Sequence, residues 1–143
     1  MRAIATVLIM WLVGCAPQDM GEPRHSARFD SYPDLLFSAM ESVCQEPADT
    51  FRRYGRDDVE CRSFLPPGPT ASIIVQYDGT VDDLPQLVMR VRSRHDDPGY
   101  VVDFDTYLHV PRRAQAPVRV VHRSPQITSR INRLLQSAGG RPN

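Results

Sequence analysis

The sequence contains no lysine: all 17 of its Lys-plus-Arg positions are arginine, balanced by 17 Asp and Glu to a formal net charge of zero. A neutral chain offers no bulk attraction to a polyanion, so nucleic acid is not an expected partner. Tryptophan occurs once, at Trp11. No apolar run approaches the ~20 residues that a spanning helix requires. The sequence also lacks a G-x-S-x-G elbow, an H-E-x-x-H helix, a Walker loop and a G-x-G-x-x-G turn. These absences nominate no catalytic residue and no cofactor, and the expectation is a protein that is not an enzyme.

What the chain does have begins at its first residues. Arg2 precedes an apolar run, Ala3 to Val13, interrupted only by Thr6. A charged start followed by a short apolar stretch fits a secretory signal segment. The run closes on Leu12-Val13-Gly14-Cys15. This resembles the lipobox of bacterial lipoproteins, a likeness confined to about fifteen residues. The resemblance implies cleavage of residues 1–14 and lipidation at Cys15. In that family an Asp after the Cys marks retention in the inner membrane; Ala16 here points to the outer membrane, facing the periplasm. The expected partners are therefore the membrane, through the lipid, and another protein of the cell envelope. Oligomeric state is not specified by the sequence.

With Cys15 assigned to lipid, two cysteines remain, Cys44 and Cys61. An exported, oxidising compartment favours a disulfide between them. Two buried thiols or half of a metal site are the alternatives; the second is weak because the pair is far from a C-x-x-C spacing and has no neighbouring His. No metal is expected.

Residues 15–28 carry Pro17, Gly21 and Pro23 among polar residues and read as a tether, leaving 29–140 as one globular domain. A first helix is expected to begin near Asp30 or Ser31, with Leu35, Leu36, Ala39, Met40 and Val43 as its apolar stripe, followed by a polar loop over 45–56. Val59 to Leu65 reads as a strand placing Val59 and Cys61 on one face, which Pro66-Pro67-Gly68-Pro69 ends. Ala71 to Tyr77 reads as another strand.

Residues 84–95 and 100–110 form the clearest hairpin. Closing it on His95 and Tyr100 makes facing residue numbers add to 195 and pairs Leu87 with Leu108, Met89 with Thr106 and Val91 with Phe104. The opposite face then pairs Arg90 with Asp105 and Arg92 with Asp103, so two patterns choose one register. Such Arg and Asp ladders on a strand face are expected to be solvated. Val118 to His122 is a last short strand. Ser124 caps a helix that opens on Pro125 and carries Ile127, Ile131, Leu134, Leu135 and Ala138 inward, ending at Gly139-Gly140.

This order predicts an α+β, two-layer sandwich: an antiparallel sheet of four or five strands with an N-terminal and a C-terminal helix on one face. A helix-grip arrangement, with the sheet curved around the last helix, is one form of it. Three weaker chemical groupings stand out: His95 with Asp96 and Asp97 as a metal site, Ser38, His122 and Asp103 as a hydrolytic triad, and a basic face of Arg90, Arg92, Arg94, Arg112, Arg113, Arg119 and Arg123. His109 is expected to be solvated. The expected function is a membrane-anchored accessory or interaction module; the alternative is a small apolar or lipid ligand held between sheet and last helix by residues such as Val102, Phe104, Leu108 and Ile131.

Overall fold

The computed structural model describes residues 25–143. The signal segment, the lipobox and Cys15 lie outside the described residues. Strands β4 (Gln86–Asp96) and β5 (Gly99–Val110) form the hairpin in the predicted register, with Leu87 facing Leu108, Val91 facing Phe104 and Arg90 facing Asp105. Pairing extends to Asp96 and Gly99, so the loop shortens to Asp97-Pro98. Gly99 is required there because the Phe29 main chain occupies the space of a Cβ.

Around this hairpin the chain builds a seven-stranded antiparallel sheet, more strands than the expected four or five. The order is β2 (Thr50–Gly55), β3 (Asp58–Phe64), β4, β5, β1 (His25–Phe29) and β7 (Arg141–Pro142), and β6 (Val118–Val120) pairs with the far end of β5. The extra strands correct the reading of two segments. Residues 25–28, assigned to the tether, enter β1 with Ala27 fully buried, so the ordered domain runs beyond 29–140 at both ends. Residues 50–55, assigned to a polar loop, form the edge strand β2. Both are short and largely polar; β1 becomes a strand by main-chain pairing with β5 and β7, distant in sequence, whereas β2 pairs with β3, which follows it directly in a tight hairpin.

A third correction concerns Ala71 to Tyr77, which is helical. Helix α2 (Pro67–Tyr77) starts at the proline cluster that was expected only to end a strand. Pro67 occupies the first helical position, where its missing N–H costs nothing. The Thr70 hydroxyl donates to the carbonyls of Leu65 and Pro66. The helix stops at Asp78 in the left-handed conformation. The Ile73-Ile74-Val75 run suggested a strand by its β-branching, yet Val75 is exposed.

Helix α1 (Asp34–Val43) begins after Pro33, later than Asp30 or Ser31, and buries Leu36, Phe37 and Met40. Its stripe is therefore rotated from the expected one: Leu35 is 73% and Val43 62% exposed. Helix α3 (Pro125–Ser137) is capped as predicted, the Ser124 hydroxyl accepting from the Gln126 N–H, and buries Ile131 and Leu135. Gly139, at φ 92°, turns the chain out of the helix, and the Gly140 N–H donates to the Leu135 carbonyl.

Both α1 and α3 pack on one face of the sheet. Their buried residues form a single core with Ala27, Phe29, Val59, Cys61, Val91, Val102 and Phe104. A disulfide joins Cys44 at the end of α1 to Cys61 on β3, with Cα atoms 5.9 Å apart. The fold is thus α+β with two helices layered on an antiparallel sheet.

Candidate functional site

Between α1 and α3 a gap remains over one part of the central hairpin, around Met89, while Val91 and Val102 beside it are fully buried. The disulfide holds α1 over β3, while α3 packs on β1 and β7 at the other side. Strands β4 and β5 lie between. Three strand spacings separate β3 from β1, about 14 Å, whereas packed helices sit about 8–10 Å apart. The difference is an open cleft of about 280 Å³. Its floor is Met89 of β4 and Phe104 of β5; its walls are Leu36, Ala39, Met40 and Val43 of α1 and Leu134 of α3. No polar side chain lines it. Leu134 remains 39% exposed while Leu135, one residue on, is fully buried.

A second, smaller cavity of about 130 Å³ is lined by Leu87, Thr106, Tyr107, Leu108, Val120, His122 and Ile127. Of the four residues expected to hold an apolar ligand, Phe104 and Leu108 therefore line open space. Val102 and Ile131 line neither cavity and are packed in the core, to which Phe104 also belongs. The α1 wall went unread in the sequence because a helical stripe does not show which of its residues will lack a partner.

The opposite face of the sheet carries charge. The expected Arg–Asp register is present, but the ion pairs run diagonally. Arg90 makes a two-pronged contact with Asp58 of β3, at 2.8 and 2.6 Å, and Arg92 reaches Asp105 at 2.7 Å. Long side chains reach such diagonal neighbours readily. Donating these hydrogen bonds to the Asp58 carboxylate raises the Arg90 pKa, so it stays charged. Nor is the ladder simply solvated: Glu60 is 2% and Asp105 4% exposed. Arg62 contacts Glu60 at 2.7 Å. The Tyr54 ring lies against Arg90 and the Tyr107 ring against Arg119, so guanidinium groups and phenols roof the carboxylates. Burial, and secondarily the charge of Glu60, pushes the Tyr107 phenol up. Two buried polar atoms, Arg92 Nε and Asp105 Oδ1, have no hydrogen-bond partner among the described residues. His109 is half-buried on this face, not solvated as expected.

The remaining candidates are dispersed. Asp96 pairs with Arg28 at 3.0 Å, and His95 packs edge-on against Tyr100, so His95, Asp96 and Asp97 form no ligand cluster. Cys44, Asp49 and Cys61 do lie together, but the two sulfurs are bonded to each other and cannot ligate as thiolates. Asp103 is on the charged face, whereas Ser38 belongs to α1 and His122 adjoins the cavity on the helical side, so the sheet separates the supposed triad. In the basic group, Arg90 and Arg92 are engaged as described, and Arg112 and Arg113 donate to the carbonyls of Ala116 and Gly79. Arg94 is exposed beside Ser93 and Asp103. Arg123 is exposed on the loop leading to α3.

Among the described residues no helix is long and apolar enough to cross a membrane. Compared with known proteins, the chain matches no family model, no curated protein and no solved structure.

Proposed function

We propose that this protein is a lipid-anchored, non-enzymatic accessory module of the bacterial cell envelope that holds an apolar chain in the cleft between α1 and α3. The anchor rests on the lipobox-like Leu12-Val13-Gly14-Cys15. The binding role rests on the cleft, whose lining is wholly apolar yet open to solvent. A monomer gains by closing such a gap: each buried apolar Å² is worth about 25 cal/mol. The cleft persists because the Cys44–Cys61 disulfide holds one wall on β3 while α3 is held on β1 and β7. This observation favours a ligand over the docking of another envelope protein at a sheet edge.

The gap also selects the shape of the occupant. Its excess width of about 4–6 Å is narrower than a helix with its side chains, about 10–12 Å. A single hydrocarbon chain suits it better than a partner helix. The test uses the full chain carrying Cys15→Ser, which removes the lipidation site. Binding of the neutral probe N-phenyl-1-naphthylamine should be saturable, at one site, and lost on Ala39→Trp, which fills the cleft. Absence of saturable binding in the Cys15→Ser protein sinks the ligand reading. For the anchor, Cys15→Ser should abolish labelling by tritiated palmitate and release the protein from membranes; unchanged labelling refutes lipidation at that residue.

A further inference from the structure

We infer that the end of the sheet bearing α2 is the face by which the domain rests on a lipid bilayer, with Phe64, Val75, Val81 and Leu84 turned into the bilayer surface. This rests on the anchor proposed at Cys15, not on the cleft, and adds which end of the domain meets the lipid. Three observations carry it. The first is composition. Residues 63–77 contain no charged side chain, in a chain that is 24% charged. Helix α2 falls wholly within them, and of its 11 residues only Thr70 is buried. A surface helix ordinarily sets charged and polar residues outward. This one turns Val75 outward, 85% exposed.

The second observation is where exposed apolar side chains gather. Phe64 pairs with Gln86 and Gln86 with His109, so the end of β3, the start of β4 and the far part of β5 share one end of the sheet. Helix α2 is tied to that end twice. The Thr70 hydroxyl donates to the Leu65 carbonyl just after β3, and Gly79 bridges to Arg112 just after β5. Val81 and Leu84 lie in the short link from that bridge to β4, and both are exposed, as is Phe64. At the opposite end, the turns beyond β1, β2 and β4 expose Asp30, Arg56, Asp57 and Asp97. Apolar surface gathered at one end of a domain marks a contact.

The third observation is the direction of the chain. Strand β1 runs antiparallel to β5, with His25 facing Phe104 and Phe29 facing Tyr100. The chain therefore enters the sheet from the side of Val110, which is the α2 end. Cys15 precedes His25 by ten residues, a reach of at most about 35 Å. A lipid on Cys15 holds the domain within that distance of the membrane, so a patch too small to bind by itself acts at high effective concentration. Asp78, Asp82 and Asp83 offset Arg112 and Arg113 at this end, so apolar burial makes the contact and attraction to anionic headgroups does not.

The experiment attaches one nitrobenzoxadiazole fluorophore to the full chain through an added cysteine, at Val75→Cys or Val81→Cys on one end and at Leu35→Cys or Asp97→Cys on the other. All four residues are exposed, so the substitutions leave the packing intact. The protein is reconstituted with vesicles of phosphatidylethanolamine and phosphatidylglycerol. At 75 and 81 the emission should rise several-fold, shift to the blue and be quenched by lipids carrying a nitroxide on the acyl chain. At 35, equally apolar but at the start of α1, and at 97 it should stay that of water. Water-like emission at 75 and 81 overturns the inference, whether or not the protein is bound. Equal quenching at all four positions overturns it as well, since the domain then has no preferred end. Loss of the signal at 75 when phosphatidylcholine replaces phosphatidylglycerol overturns it in favour of headgroup charge. Protection of position 75 without vesicles, rising with protein concentration, overturns it in favour of a second copy of the chain. The anchor is judged separately. The chain without an added cysteine should take up no label, because the Cys15 sulfur is alkylated and Cys44 and Cys61 are joined. Labelling of Cys15 refutes the anchor, and the same four positions in the Cys15→Ser chain then decide the face.

Discussion

On one face of the sheet Val59, Cys61, Val91, Val102 and Phe104 are buried beneath two helices, whereas on the other Glu60 and Asp105 are buried beneath arginine and tyrosine side chains. The apolar face is incompletely closed and the ionic face is closed by its own side chains. The reason is geometric. A helix covers a fixed width, and two helices held over β3 and β1 close only part of the space above β4 and β5. Arginine is long and flexible, and neighbouring strands bring it within reach of several carboxylates at once. Open apolar space thus falls on the face that looks like an ordinary core in the sequence, and buried ion pairs fall on the face that looks solvated, with Arg92 Nε and Asp105 Oδ1 left unpaired among the described residues.

The largest expected effect breaks the ionic face. Arg92→Met leaves Asp105 buried without its cation and should cost about 3–5 kcal/mol in urea denaturation, with much of the loss restored by adding Asp105→Asn. A cost below 1 kcal/mol would show that this face is solvated after all. Next, replacing Cys44 and Cys61 together by Ala should cost about 3 kcal/mol, the loop entropy for the 17 residues they span. The same variant should weaken ligand binding, because the disulfide positions the α1 wall. A smaller effect sharpens the apolar face. Leu134→Ala should lower stability by less than about 1 kcal/mol, whereas Leu135→Ala should cost about 2 kcal/mol or more, since only the second empties packed space. Equal costs would mean the cleft is closed in solution.

The smallest effect is on pH dependence. Burial raises the phenols of Tyr32 and Tyr107. A group whose folded pKa is raised contributes stability below its unfolded value, about 10 for tyrosine, and loses it as pH rises through the folded value. Phenolate absorbance and circular dichroism, followed together in alkaline titration, should show a late-ionising class of tyrosines whose titration accompanies loss of structure. Tyr107→Phe should remove part of that alkaline instability.

How far each region was legible in the sequence follows the same division. The β4–β5 hairpin was readable because both sides of every pair lie close in the chain, and apolar and charged patterns agreed on one register. Helix α3 was readable from Ser124, Pro125 and the glycines at its end, each a local signal. Segment 71–77 misled because three β-branched residues outweighed the proline start that in fact opens α2. The apolar cavities were only half visible: Phe104 and Leu108 stood out as residues for an apolar ligand, but nothing local tells that Ala39, Val43 and Leu134 face a gap.

By itself the sequence determined the α+β class, the hairpin register, the cap of α3 and the pairing of Cys44 with Cys61, because each depends on residue spacing or on a small choice among partners. Only the tertiary structure decided that β1 lies beside β5, that β2 forms an edge, that the acids of one face are buried, and that a gap remains between two helices beside Met89 and Phe104. Those outcomes depend on where separate elements come to rest across the sheet. The width of a strand, the diameter of a helix and the reach of an arginine set them, and none of these is written in any one segment.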